Sequence, residues 1–224
     1  MKIIANLYIV PDVLANTHIL VDEQGLTLID TGMPRSEKKI LAYISELGKS
    51  EADLKYILLT HSDVDHVGAL AALARTSGAR TYASQIEAKS IAVGESSRRS
   101  YSSGISLRRF LFALLSPFFK AAPFQVDEIL EEGQTLPALG GLHVIATPGH
   151  TPGHLSFYAP IPGVLFCGDS MVSDEDRLYG SRPGVTWDPD QARESVQKQA
   201  ELGASIVCPG HGPVISDASG KFPI

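Results

Sequence analysis

The sequence predicts an α/β fold in which two β-sheets pack face to face and helices cover the outside. Three observations carry this. Short runs rich in Val, Ile and Leu come first as a block, then alternate with helical stripes, then return as a second block that closes with a helix and a strand. That order is the pattern of layered sheets with helices laid over them. The 224 residues are 44% hydrophobic, which is enough to fill a core of this size. Finally, most of the runs end in a loop that carries His or Asp beside Gly or Pro. We expect one domain over residues 1–224, with a helical insertion at about 94–123.

Each element has a local reason. Lys2–Val10 is rich in Ile, Tyr and Val and reads as a strand. Thr17–Val21 and Leu26–Ile29 are two more, joined by the polar turn Asp22-Glu23-Gln24-Gly25. Ser36 is a candidate N-cap for a helix over Glu37–Leu47, whose stripe is Ile40, Leu41, Ile44 and Leu47 and whose terminator is Gly48. Tyr56–Leu59 is a continuous apolar run, as a buried strand would be. Val67–Thr76 has helical spacing and stops at Gly78, Arg80–Ala83 is a strand, and Gln85–Ile91 is a short helix. Leu142–Ala146, Leu155–Tyr158 and Val164–Phe166 form the second strand block. Asp190–Leu202 is a helix capped by Asp188 or Asp190, and Ser205–Val207 is the last buried strand.

The insertion opens as GESSRRSYSSG and continues as ISLRRFLFALLSPFFKAAPF, strongly apolar, with Pro117 set to kink any helix there. It reads as a flap over a site, a dimer contact, a membrane-surface segment or an ordinary helical addition to the core.

Composition narrows the function. The net charge of −6 argues against a broad nucleic-acid surface, which needs clustered Lys and Arg. We expect no signal peptide in MKIIANLYIVPDV and no membrane span, since no apolar run approaches about 18 residues. Cys167 and Cys208 are too few for a disulfide scaffold and read as small buried hydrophobes in a reducing, cytoplasmic protein. The partner expected is a small-molecule substrate.

The chemistry lies in seven side chains. His61, Asp63, Asp65 and His66 fall within THSDVDHVG, His150 within TPGHTPGH, Asp169 within CGDS and His211 within PGHG. Imidazoles and carboxylates are ligands for borderline and hard metal ions. Four clustered donors plus three single ones describe a site assembled from several strand ends, unlike a finger with paired short spacings. The loop can give His61 and Asp63 to one ion and Asp65 and His66 to a second, His150 and His211 adding one ligand each and Asp169 bridging. Two ions about 3.5–4 Å apart sharing a water lower its pKa towards neutrality.

These motifs, in this order and with LIDTG at residues 28–32, resemble the metallo-β-lactamase superfamily from about Asn16 to Pro213. The resemblance implies a four-layer αββα sandwich with the site at one edge, between the sheets. It implies a first metal facing His61, Asp63 and His150, a second facing Asp65, His66 and His211, and Asp169 between them. It makes Asp30 the residue that orients the ligand loop, and it favours His150 over His154 as ligand. His18 and His143 read as structural. One departure stands out, because the usual motif has His where this chain has Asp63. A carboxylate is harder than imidazole, so iron or manganese stands beside zinc as a candidate.

The reaction implied is hydrolysis of an ester, lactone or thioester, with Asp65 handling the leaving-group proton and Tyr179, placed in a loop, polarising the carbonyl. Asp169 resembles the bridging residue of the glyoxalase II and lactonase branches. The alternatives are iron-dependent oxygenase chemistry and a non-catalytic metal-binding module.

Overall fold

The computed structural model describes residues 1–98 and 120–224. The helical reading of the insertion falls largely on residues 99–119 and lies outside the described residues.

The chain forms the αββα sandwich. Among the described residues, the first sheet holds seven strands, adjacent in chain order: β1 (Lys2–Ile4), β2 (Leu7–Ile9), β3 (His18–Asp22), β4 (Gly25–Ile29), β5 (Leu54–Leu58), β6 (Arg80–Ser84) and β7 (Glu128–Leu130). Pairing is antiparallel through β4 and parallel from β4 to β7. The second sheet is built from β8 (Thr135–Leu136), β9 (Leu142–Ala146), β10 (Leu155–Ala159), β11 (Val164–Gly168), β14 (Ile206–Pro209) and β15 (Ile215–Ser216), in the spatial order β15-β14-β11-β10-β9-β8. The hairpin β12 (Met171–Asp174) and β13 (Arg177–Gly180) stands between β11 and the last helix. The described helices are α1 (Glu37–Glu46), α2 (Val64–Val67), α3 (Leu70–Ser77), α4 (Gln85–Ile91) and α5 (Pro189–Ala200).

Alternation along the strands builds three apolar layers. On β4, Leu26 and Leu28 face outward beneath Ile40 and Ile44 of α1 and Leu70 and Leu73 of α3. Ile29 faces inward, with Leu20, Leu58, Val144, Phe157 and Phe166, and these fill the space between the sheets. On the far side Leu165, Cys167 and Val207 pack against Val196 of α5. Each fully buried Phe or Leu contributes about 1.5–3 kcal/mol. A strand buried on both faces must be apolar throughout, and all five residues of β11 are buried.

Several expectations are corrected. The first strand is a hairpin, because Asn6 takes a left-handed backbone (φ 65°) that turns the chain between β1 and β2. Ser36 precedes α1 without a side-chain cap, whereas Asp188 caps α5 by accepting from the N–H groups of Asp190 and Gln191. The helix expected over Val67–Thr76 is split into α2 and α3. The break holds Gly68, where a Cβ would lie 2.2 Å from the Pro34 nitrogen, so the loop after β4 can lie directly on it. Tyr179 lies on strand β13 instead of in a loop. The short strands β7, β8, β12, β13 and β15 are absent from the sequence reading.

His18 occupies the layer between the sheets, 3% exposed, edge-on to Phe166 with ring centroids 5.3 Å apart. Burial pushes its pKa from 6.5 down to about 4. The unfolded chain therefore takes up a proton near pH 6.5 that the folded chain refuses until about pH 4. Stability present above pH 6.5 is lost as the pH falls through that window, by about 3 kcal/mol. Urea midpoints compared at pH 7 and pH 4.5 should show this loss, and His18→Leu should diminish it. An equal loss in the variant would assign the acid sensitivity elsewhere. Among the described residues, no helix is long and apolar enough to cross a membrane.

Candidate metal centre

Strand ends from both sheets meet at one edge. β4 and β5 run parallel and deliver Asp30 and the loop Thr60–His66. β11 and β14 run parallel and deliver Asp169 and His211, while β9 leads into the loop carrying His150. Backbone bonds stitch the two sheets here: Leu155 N–H to the Thr60 carbonyl at 2.9 Å and Asn16 N–H to the Gly210 carbonyl at 2.7 Å.

The seven expected residues converge into three overlapping groups. His61, Asp63 and His150 form one, His61, His66 and Asp169 a second, and Asp65, His66 and His211 a third, with the donor atoms of each group within 4.8 Å of one another. Asp63 Oδ2 lies 3.1 Å from His150 Nε2 and 3.6 Å from His61 Nε2. Asp65 Oδ2 lies 3.2 Å from His211 Nε2. Asp169 stands between, with Oδ1 3.3 Å from His66 Nε2 and Oδ2 3.6 and 3.5 Å from Nε2 of His150 and His211. Glycine permits this closeness, since a Cβ at Gly210 would fall 2.2 Å from Asp169 Oδ1.

Hydrogen bonds fix the rings from behind. The Thr60 hydroxyl donates to Asp30 Oδ2, so its oxygen accepts from His61 Nδ1 at 2.9 Å. His66 Nδ1 donates to Asp30 Oδ2 at 2.8 Å, and His150 Nδ1 lies 3.0 Å from the Ser181 hydroxyl. Such bonds leave the Nε2 lone pairs of His61 and His66 facing the centre. Those two atoms and Asp169 Oδ1 are buried and have no hydrogen-bond partner among the described residues. Lone pairs of imidazole and carboxylate converging without a donor are what a cation satisfies, so the donor set fits divalent metal ions.

The electrostatics agree. Burial pushes the carboxyls of Asp63 and Asp169 up, but the surrounding imidazoles, with Arg98 beside Asp63, outweigh it and hold both well below the usual range. Asp65 behaves likewise and is held at about 2, with the hydrogen bond to His211 the largest opposing effect. His66 resists burial and is raised well above 6.5 by Asp169 and Asp30.

His154 is occupied otherwise. Its Nε2 accepts from the Asp169 N–H at 3.1 Å and its Nδ1 lies 2.8 Å from the Thr147 hydroxyl. Both ring nitrogens are thus used, Nε2 on the Asp169 backbone and Nδ1 on Thr147, and burial keeps the ring neutral. Tyr179 is 46% exposed on β13.

Sequence reading missed four contributors. Arg98 pairs with Asp63 Oδ2 and with the Val185 carbonyl. Ser96 donates to Asp63 Oδ1 at 2.5 Å. Ser181 orients His150, and Glu87 is buried behind the ligand loops. None lies in a motif, and only the polar run around Arg98 gave any signal.

This constellation, on this sandwich, gathers candidate ligands for divalent metal ions. The chain belongs to the metallo-β-lactamase superfamily, whose family model matches residues 10–211. It is 32% identical over 216 residues to YobT of Bacillus subtilis (strain 168), covering 92% of this chain and 87% of that one. It is 30% identical over 208 residues to the probable metallo-hydrolase YflN of the same organism, covering 85% and 76%. The solved structure of TTHA1623 in a di-iron-bound form superposes with a TM-score of 0.70 at 26% identity, covering 96% of this chain and 98% of that one.

Proposed function

We propose that the protein is a binuclear metal-dependent hydrolase acting on an ester, lactone or thioester carbonyl. The carrying observation is the set of unpartnered buried donors, His61 Nε2, His66 Nε2 and Asp169 Oδ1, converging at one point. His61, Asp63 and His150 would hold one divalent ion, Asp65, His66 and His211 the other, and Asp169 both. Such a pair supplies a water of lowered pKa and a Lewis acid for the carbonyl oxygen. The chain's own part is to fix that chemistry in place. Asp30 and Thr60 lock His66 and His61 in the tautomer that offers Nε2, and Ser181 orients the His150 ring. Asp65, the more exposed carboxylate of the ligand loop, is ionised at neutral pH, so it would accept the proton released by the attacking water and pass it to the leaving group. Tyr179, on the hairpin that follows Asp169, is the side chain we assign to polarising the carbonyl.

Asp63 favours a second reading. A carboxylate in the first position suits iron, and TTHA1623, of similar fold, has been solved with two irons. The alternative is therefore oxygenase or redox chemistry at iron.

Elemental analysis of the purified protein, followed by zinc or anaerobic ferrous reconstitution and a screen of lactones, thioesters, esters, β-lactams and phosphodiesters, separates the readings. We expect two ions per chain and zinc-supported cleavage of a lactone or thioester. Oxygen consumption by the ferrous protein without hydrolysis would replace this reading with the second. Tyr179→Phe should lower kcat about tenfold or more, as loss of an oxyanion donor does. An unchanged kcat would remove Tyr179 from the site.

A further inference from the structure

We infer that Glu87 is a positioning residue that sets the geometry of the first metal position and leaves the second alone. Glu87 lies on α4 with its side chain wholly buried. Its Oε2 accepts from the Ser62 N–H at 2.9 Å. Its Oε1 accepts from the Thr151 hydroxyl at 2.8 Å, the Gly153 N–H at 2.9 Å and the Ser97 hydroxyl at 2.8 Å. These four neutral donors come from three separate segments.

The placement of those donors is what matters. Ser62 sits between His61 and Asp63. Thr151 follows His150. Ser97 sits between Ser96 and Arg98, both of which hold Asp63. Every ligand of the first group is thus flanked by a residue tied to one carboxylate. The Ser97 N–H closes the network on the Ser62 hydroxyl at 2.8 Å. None of the four donors adjoins Asp65, His66 or His211, and Asp30 braces His66 from the other side. A Cβ at Gly153 would fall 2.8 Å from Oε1, so the loop approaches Glu87 as closely as a backbone can.

A buried carboxylate is costly to desolvate, and neutral donors offset this only when all of its acceptors are used. An acceptor-only group is also the one side chain of this size that satisfies four convergent donors. In Glu87→Gln one oxygen becomes an NH2. Placed at Oε1 it faces three donors, and placed at Oε2 it faces the Ser62 N–H. Either way a ligand loop must shift.

The inference rests on the two-ion reading proposed above. Its test is calorimetric titration of the metal-free protein with zinc, with His150→Ala and His211→Ala as references for loss of the first and second positions. Glu87→Gln should weaken one binding step about 10–100-fold and leave the other unchanged, matching the His150→Ala pattern. Ile44→Val, on the buried face of α1, controls for lost stability and should keep both steps. Should Glu87→Gln fail to fold, Thr151→Val and Ser97→Ala each remove one hydroxyl from Oε1 and should weaken the same step about 2–10-fold. Two unchanged steps with a lowered Tm, or two steps weakened equally, would overturn the inference while the two-ion reading stands. Wild-type protein that binds no zinc would overturn both.

Discussion

Asp169→Asn is expected to lose at least one bound ion and to lower kcat/KM by about 10³-fold or more, a loss of about 4 kcal/mol in transition-state stabilisation. The substitution preserves shape and removes a charge. Asp169 is the carboxylate whose two oxygens face members of both outer groups, His66 on one side and His150 and His211 on the other. Its backbone stays fixed by His154, so the variant isolates charge from position. His66 is held well above 6.5 partly by Asp169, so losing that carboxylate makes the ring easier to deprotonate. Elemental analysis and steady-state kinetics test the prediction, with circular dichroism as the check on folding. Two ions per chain with unaltered kcat/KM would show that Asp169 bridges nothing.

The site was legible because its chemistry is local in sequence even though its assembly is not. A His or Asp beside Gly after an apolar run can be read from ten residues, as in PGHG and GDS. The layers were legible for the same reason, since alternation and apolar runs are local signals. What could not be read depends on contacts between distant segments. Glu87 meets donors 10 to 66 positions away, and Arg98 meets Asp63 across 35. The short strands β8 and β15 hold two residues each and carry no period. The break between α2 and α3 follows from Gly68 meeting Pro34, a contact that spacing alone does not announce.

Asp30 separates stability from metal binding most sharply. It adopts a left-handed backbone (φ 59°), a conformation that Asp and Asn tolerate and other side chains resist. Its carboxylate accepts from the Thr60 N–H at 2.9 Å, the Thr60 hydroxyl at 2.8 Å and His66 Nδ1 at 2.8 Å, all buried. Asp30→Ala leaves those donors unmatched and places a methyl at an unfavourable φ, so it should destabilise the fold by about 3–5 kcal/mol. Asp30→Asn should behave differently. Asn keeps the backbone, and its oxygen still accepts from the Thr60 N–H. Its NH2 then faces the Thr60 hydroxyl, which can rotate to accept, and His66 Nδ1–H, which cannot. The ring resolves the clash by moving its proton to Nε2, the atom turned towards Asp169. That takes away the lone pair offered to an ion. Asp30→Asn should therefore retain most of its stability and lose about 10–100-fold in affinity at the position holding Asp65, His66 and His211. Urea unfolding and zinc titration of the two variants measure the two quantities separately. Wild-type affinity in Asp30→Asn would mean that the tautomer of His66 is set by something other than Asp30.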